Sequence, residues 1–176
     1  YLEALVADFE TQVEMAQGRS IHSVFIGGGT PSLISAQGYQ WLFGQLKARL
    51  DFKADCEITL EANPGTVEHD PFADYLAVGI NRLSLGVQSF DPEHLQRLGR
   101  IHSANNALDA IQQARQAGFE RVNVDLMHGL PQQTEEQALT DLKLAVEQGA
   151  THISWYQLTI EPNTVFFRTQ PVLPQD

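Results

Sequence analysis

Two acids and an amide stand where apolar runs end. Glu61 closes the run Glu57-Ile58-Thr59-Leu60, Gln88 closes Leu83-Ser84-Leu85-Gly86-Val87, and Asp125 lies between Val124 and Leu126. A carboxylate inside an apolar run is costly unless it is paired or meets a ligand. Ahead of them, Gly27-Gly28-Gly29-Thr30-Pro31 follows another apolar run, residues 23–26. Consecutive glycines let the backbone turn sharply and present bare N–H and C=O groups, and Thr30 adds a hydroxyl. Each feature has a plain alternative: a tight turn for the glycines, a structural ion pair for Glu61, a turn cap for Gln88. Acid, amide and acid on successive strand ends nevertheless describe one convergent polar pocket.

Other chemistries find little support. The six histidines form no His-Glu-x-x-His pair, and His128, just after the Asp125 run, is the only one near these strand ends. Its structural reading is preferred. No serine sits in a nucleophile elbow. The single cysteine, Cys56, excludes an intrachain disulfide and fits a reducing compartment. With no second cysteine at ligand spacing, it reads as a small apolar residue at the start of a strand. The glycine spacing differs from the dinucleotide-binding fingerprint.

The elements that must position these groups alternate along the chain. Strand-like runs cover 23–26, 57–62, 82–87, 121–126 and 152–159, and helical periods fill the intervals. Ser35 is placed to cap the helix that follows, as are Asp70 and Asp91 before Pro71 and Pro92. Thr134 and Gln137 have the spacing of a capping box. Strands alternating with helices imply an α/β fold with a parallel sheet wound through right-handed crossovers. Chemistry at successive strand ends then marks the rim of a (βα) barrel, the face that binds ligands.

Composition narrows the partners. The 176 residues are 43% hydrophobic and 19% charged, enough for one domain with a sizeable core. A formal net charge of −11 disfavours nucleic acid. No run has the length of a membrane span.

The wording of the motifs resembles one family. Phe25-Ile26-Gly27-Gly28-Gly29-Thr30-Pro31-Ser32, Thr59-Leu60-Glu61-Ala62-Asn63-Pro64, the run from Arg82 to Phe90, Asn123-Val124-Asp125-Leu126 and Gly129-Leu130-Pro131 are similar to the core of radical S-adenosylmethionine (SAM) proteins. Within these they resemble the group that holds oxygen-independent coproporphyrinogen III oxidases and HemW heme chaperones. Leu98-Gly99-Arg100-Ile101-His102 and the stretch from Trp155 to Thr164 lean towards the chaperone branch. The resemblance implies a partial radical SAM barrel over residues 1–165 and an extended tail over 166–176 leading to a further domain.

By the same resemblance, Gly28, Gly29 and Thr30 would hold the methionine end of SAM. Glu61, Gln88, Arg100 and Asp125 would line that cofactor, with Thr159 as a further contact on the last strand. The cofactors implied are SAM, a [4Fe–4S] cluster and, in the parent protein, heme. The partners implied are heme or a porphyrinogen and heme-accepting proteins, in the cytoplasm, with membrane contact only through the acceptors. The oxidase alternative implies decarboxylation of porphyrinogen propionates through a 5′-deoxyadenosyl radical. One departure stands out: the family holds its cluster on a Cys-x-x-x-Cys-x-x-Cys loop, and this sequence has one cysteine, elsewhere. The expectation is a fragment lacking the first strand and the cluster loop, a barrel open at that edge, and no SAM cleavage by the 176 residues alone.

Overall fold

A computed structural model describes residues 1–65 and 69–174. Five strands, β1 (Ile21–Ile26), β2 (Phe52–Ala62), β3 (Arg82–Gln88), β4 (Arg121–His128) and β5 (His152–Gln157), form one sheet in chain order. Every neighbouring pair is parallel. Sequential order and a single sense of pairing curl the sheet into a half-barrel. The α-helices are α1 (Leu2–Gln12), α2 (Ala36–Lys47), α3 (Phe72–Ala77), α4 (Pro92–Arg97), α5 (Ala104–Gln116), α6 (Glu135–Glu147) and α7 (Val165–Thr169).

Alternation along the strands sorts the two faces. Ile58, Leu60, Leu83, Leu85, Val122, Val124 and Leu126 are buried among Tyr39, Phe43, Tyr75, Ile111 and Phe119 in one core between sheet and helices. Burying side chains of this kind contributes about 1.5–3 kcal/mol each, which makes this face the main source of stability. The opposite, concave face is polar. Registers place Thr59 beside Arg82 and Arg82 beside Arg121, then Glu61 beside Ser84 and Ser84 beside Asn123. That second row lies one step below the rim.

Local signals set the helix starts. Ser35 accepts from Gly38 N, Asp91 from Glu93 N and His94 N, and Ser103 and Thr134 form capping boxes with Asn106 and Gln137. Asp70 behaves otherwise than the sequence suggests. Its own helix begins at Phe72 with Pro71 at the cap position, and Asp70 Oδ2 accepts from Ala36 N, 2.7 Å away, at the start of α2. That bond to Ala36, with the His69 ring beside the other oxygen, holds the Asp70 carboxyl below its ordinary range.

Three boundaries differ from expectation. β2 begins at Phe52, which puts Cys56 inside the strand, facing the core and buried. β5 ends at Gln157, so Thr159 lies beyond it. The stretch expected to be extended contains α7, whose Thr164 caps Phe167 N.

Candidate functional site

Beneath the C-terminal ends of β1–β4 lies a cavity of about 290 Å³ lined by Gly28, Gly29, Pro31, Glu61, Ala62, Asn63, Ser84, Gly86, Gln88, Arg100 and Asp125. Six of the eight residues singled out in the sequence meet here. Thr30 instead lines a larger, apolar cavity of about 710 Å³ between β1 and the helices α1 and α2. Thr159 is exposed and lines neither. His128 packs its ring against Trp155, centroids 4.5 Å apart, outside the polar cavity.

The glycine turn is shaped around Glu61. A Cβ built on Gly27 would stand 2.9 Å from Glu61 Oε2, and Gly28 has φ +114°, a conformation that side chains resist. Cβ atoms on Gly28 or Gly29 would meet nothing within 4 Å. Their backbone is therefore open to a ligand. Glu61 has no hydrogen-bond or ion-pair partner among the described residues, and neither has the Arg100 guanidinium, carried on the loop between α4 and α5.

Asp125 is held from below. Asn123 Nδ2 donates to Asp125 Oδ1 at 2.8 Å, and Ser84 Oγ donates to Oδ2 at 3.2 Å. Asn123 Nδ2 also donates to Ser84 Oγ at 2.9 Å, and Asn123 Oδ1 accepts from Ser154 Oγ at 3.2 Å. This network ties three strands together and fixes the Asp125 carboxylate.

Gln88 is 3% exposed, and its Oε1 accepts from the Tyr156 hydroxyl at 2.7 Å. Burial pushes the Tyr156 hydroxyl pKa up, with the Asp125 charge adding to the shift. Tyr156 therefore stays a donor across the physiological range.

Ser84, Gly86, Asn63, Asn123 and Tyr156 were not singled out by sequence reasoning. Strand period could have found most of them. Residues 84, 86 and 88 share one face, as do 123 and 125, so strand period from Gln88 and Asp125 nominates Ser84, Gly86 and Asn123.

Two carboxylates and one guanidinium surround a space floored by amides and hydroxyls and roofed by open peptide groups. Such a site is complementary in charge to a zwitterionic ligand with more than one positive centre. Cys56, by contrast, lies five residues before Glu61 on β2, about 16 Å along the strand, and on the other face. The chain's own residues do not supply a cluster's thiolates, and no group of three or more His, Cys, Asp or Glu among the described residues could hold a metal ion.

Comparison with known proteins gives the family. The model of the radical SAM superfamily matches residues 3–145. The chain is 54% identical over its whole length to the heme chaperone HemW of Escherichia coli, covering 47% of that protein. It is 42% identical over 93% of its length to mouse radical S-adenosyl methionine domain-containing protein 1, mitochondrial, covering 37% of that one. Among solved structures, coproporphyrinogen III oxidase (HemN) from Escherichia coli, a radical SAM enzyme, superposes with a TM-score of 0.83 at 30% identity, over 99% of this chain and 41% of that one. This chain belongs to the radical SAM superfamily. It spans about half the length of the curated relatives it matches. Among the described residues no helix is long and apolar enough to cross a membrane.

Proposed function

We propose that this chain is the SAM-binding part of a HemW-type protein that binds heme and hands it to acceptor proteins. The observation that carries the first half is the cavity itself, where Glu61, Gln88, Arg100 and Asp125 face open glycine backbone. SAM carries an ammonium, a carboxylate, ribose hydroxyls and a sulfonium. The donor set fits them. Gly28 and Gly29 present peptide groups to the methionine end, Arg100 offers a guanidinium to the carboxylate, and Glu61 and Asp125 accept from ammonium or hydroxyl groups. Gln88, oriented by Tyr156, adds an amide.

Bound SAM supplies a one-electron route to bond cleavage in this family. The residues here do the rest: they orient the cofactor, balance its positive charge and hold it against the rim. Thr30 and Thr159 are secondary candidates, which would need a ligand extending past the cavity described. The [4Fe–4S] cluster would be held by residues other than those in this chain.

The second half rests on identity with HemW proteins along the full chain, set against 30% with the oxidase. The Arg100-Ile101-His102 loop, which edges the cavity, is the local feature that favours the chaperone. The oxidase reading has the fold and the lower identity of 30% behind it. A reducing compartment, the cytoplasm in a bacterium, suits both Cys56 and an iron–sulfur protein. The domain reading, a barrel core over 1–165 and a connection beyond it, belongs to the same proposal.

The test uses the full-length protein under anaerobic conditions. The proposal expects stoichiometric heme binding and transfer to an apo-acceptor, with no decarboxylation of coproporphyrinogen III. Turnover of the porphyrinogen without heme transfer would overturn it in favour of the oxidase.

A further inference from the structure

Gln88 is a non-glycine residue with φ +70°, at the point where β3 slips by one residue against β4. Side chains avoid this region, and such strain persists only where neighbours enforce it. A bulge of this kind re-aims a side chain. Both flanks of Gln88 are tied down. On one side, the Val87 carbonyl accepts from His102 Nε2 at 3.0 Å. On the other, Asp141 of α6 accepts from Ser89 Oγ at 2.7 Å and from Phe90 N at 2.8 Å, while Ser89 Oγ also accepts from Asp91 N at 3.0 Å.

We propose that Asp141 and His102 are positioning residues that hold Gln88 in the left-handed conformation from which its amide faces the cofactor cavity; this rests on the reading of that cavity as a SAM site. Asp141 is 2% exposed and has no ion-pair partner among the described residues. Burial pushes its carboxyl above the usual carboxylate range, against the bonds from Ser89 and Phe90 and the nearby His94. A buried acid whose described bonds all run to one turn has that turn as its role. His102, 5% exposed, stands two residues past Arg100, so the same bond anchors the loop that brings the guanidinium to the rim.

The test is a double-mutant cycle in the full-length protein, reading SAM affinity by anaerobic calorimetry. Asp141→Ala, Gln88→Gly and the double variant are compared, because glycine takes the left-handed conformation without strain. Asp141→Ala should weaken binding about tenfold in the parent and less than about twofold in the Gln88→Gly background, as for residues coupled through one network. If Asp141→Ala does not fold, Ser89→Ala runs the same cycle with a smaller effect of the same sign. Equal weakening in both backgrounds, or none in the parent, would overturn the proposal. Glu61→Ala and Asp125→Ala measured alongside separate the two levels. If neither weakens binding, the cavity assignment fails and the proposal with it. If both do and the cycle shows no coupling, the positioning of Gln88 alone is refuted.

Discussion

The carboxylate of Glu61 fills the space a side chain at Gly27 would need. A methyl group there would lie 2.9 Å from Oε2 and 3.1 Å from Cδ. The obstacle is the far end of a flexible side chain, not backbone. Gly27→Ala should therefore cost less than about 1 kcal/mol of stability while pushing the Glu61 carboxylate from its place. Chemical denaturation and SAM titration of the full-length variant check this. A large stability loss with unchanged affinity would mean that Glu61 is a structural residue.

Asn123 should behave in the opposite way. Its amide nitrogen donates to Ser84 and Asp125, its carbonyl oxygen accepts from Ser154, and it is 3% exposed. Asn123→Ala should cost about 2 kcal/mol of stability, since buried partners lose their bonds together. It should also loosen Asp125 and weaken SAM binding. Urea unfolding read beside calorimetry gives both numbers.

His102 gives the protein a pH dependence. Burial lowers its pKa below the ordinary 6.5, against its bond to Val87 and with the Arg100 charge adding to the depression. Below pH 6.5 the unfolded chain takes up a proton that the folded chain refuses. Stability should therefore fall as pH drops through 6.5 towards the folded value, and be fully present above it. Unfolding midpoints between pH 7.5 and 5.5, roughly a unit either side of the free imidazole value, should fall less steeply in His102→Gln than in the parent. Equal slopes would contradict this.

The sequence pattern alone accounts for most strands and part of the site, while other features depend on contacts between distant segments. Strand positions came through because Ile58, Leu60, Leu83, Val122 and Val124 alternate with polar residues that face the barrel's interior. Glu61, Gln88 and Asp125 are legible as polar groups at apolar strand ends, and Gly28 and Gly29 as an open turn, whereas Arg100, on a loop between two helices, is reached only through the family resemblance. The first half of β2 did not come through, since Lys53 and Asp55 break the apolar run and pairing with β1 decides it. Asp70 reads as a local cap, yet a contact with α2, distant in sequence, wins. Thr30 reads with the glycines, yet it lines the apolar cavity and not the polar one. The bulge at Gln88 and its bond from Tyr156 depend on register and on a strand far along the chain. No local pattern announces either.

Cys56 should be dispensable for the cluster. It is buried in the core on β2, and burial raises its thiol pKa, with Lys47 opposing. Cys56→Ala in the full-length protein should leave iron and sulfide content unchanged and cost about 1 kcal/mol of stability for the small side chain removed. Lost iron would place this thiol at the metal.

Under the proposed function, Glu61 and Asp125 receive the positive charge of SAM. Anaerobic calorimetry of the reconstituted full-length protein decides it. Replacing either residue by Ala should weaken SAM binding by about 1–3 kcal/mol, the scale for losing a charged hydrogen-bond partner, with the fold intact by circular dichroism. Unchanged affinity in both variants would contradict the assignment of this cavity.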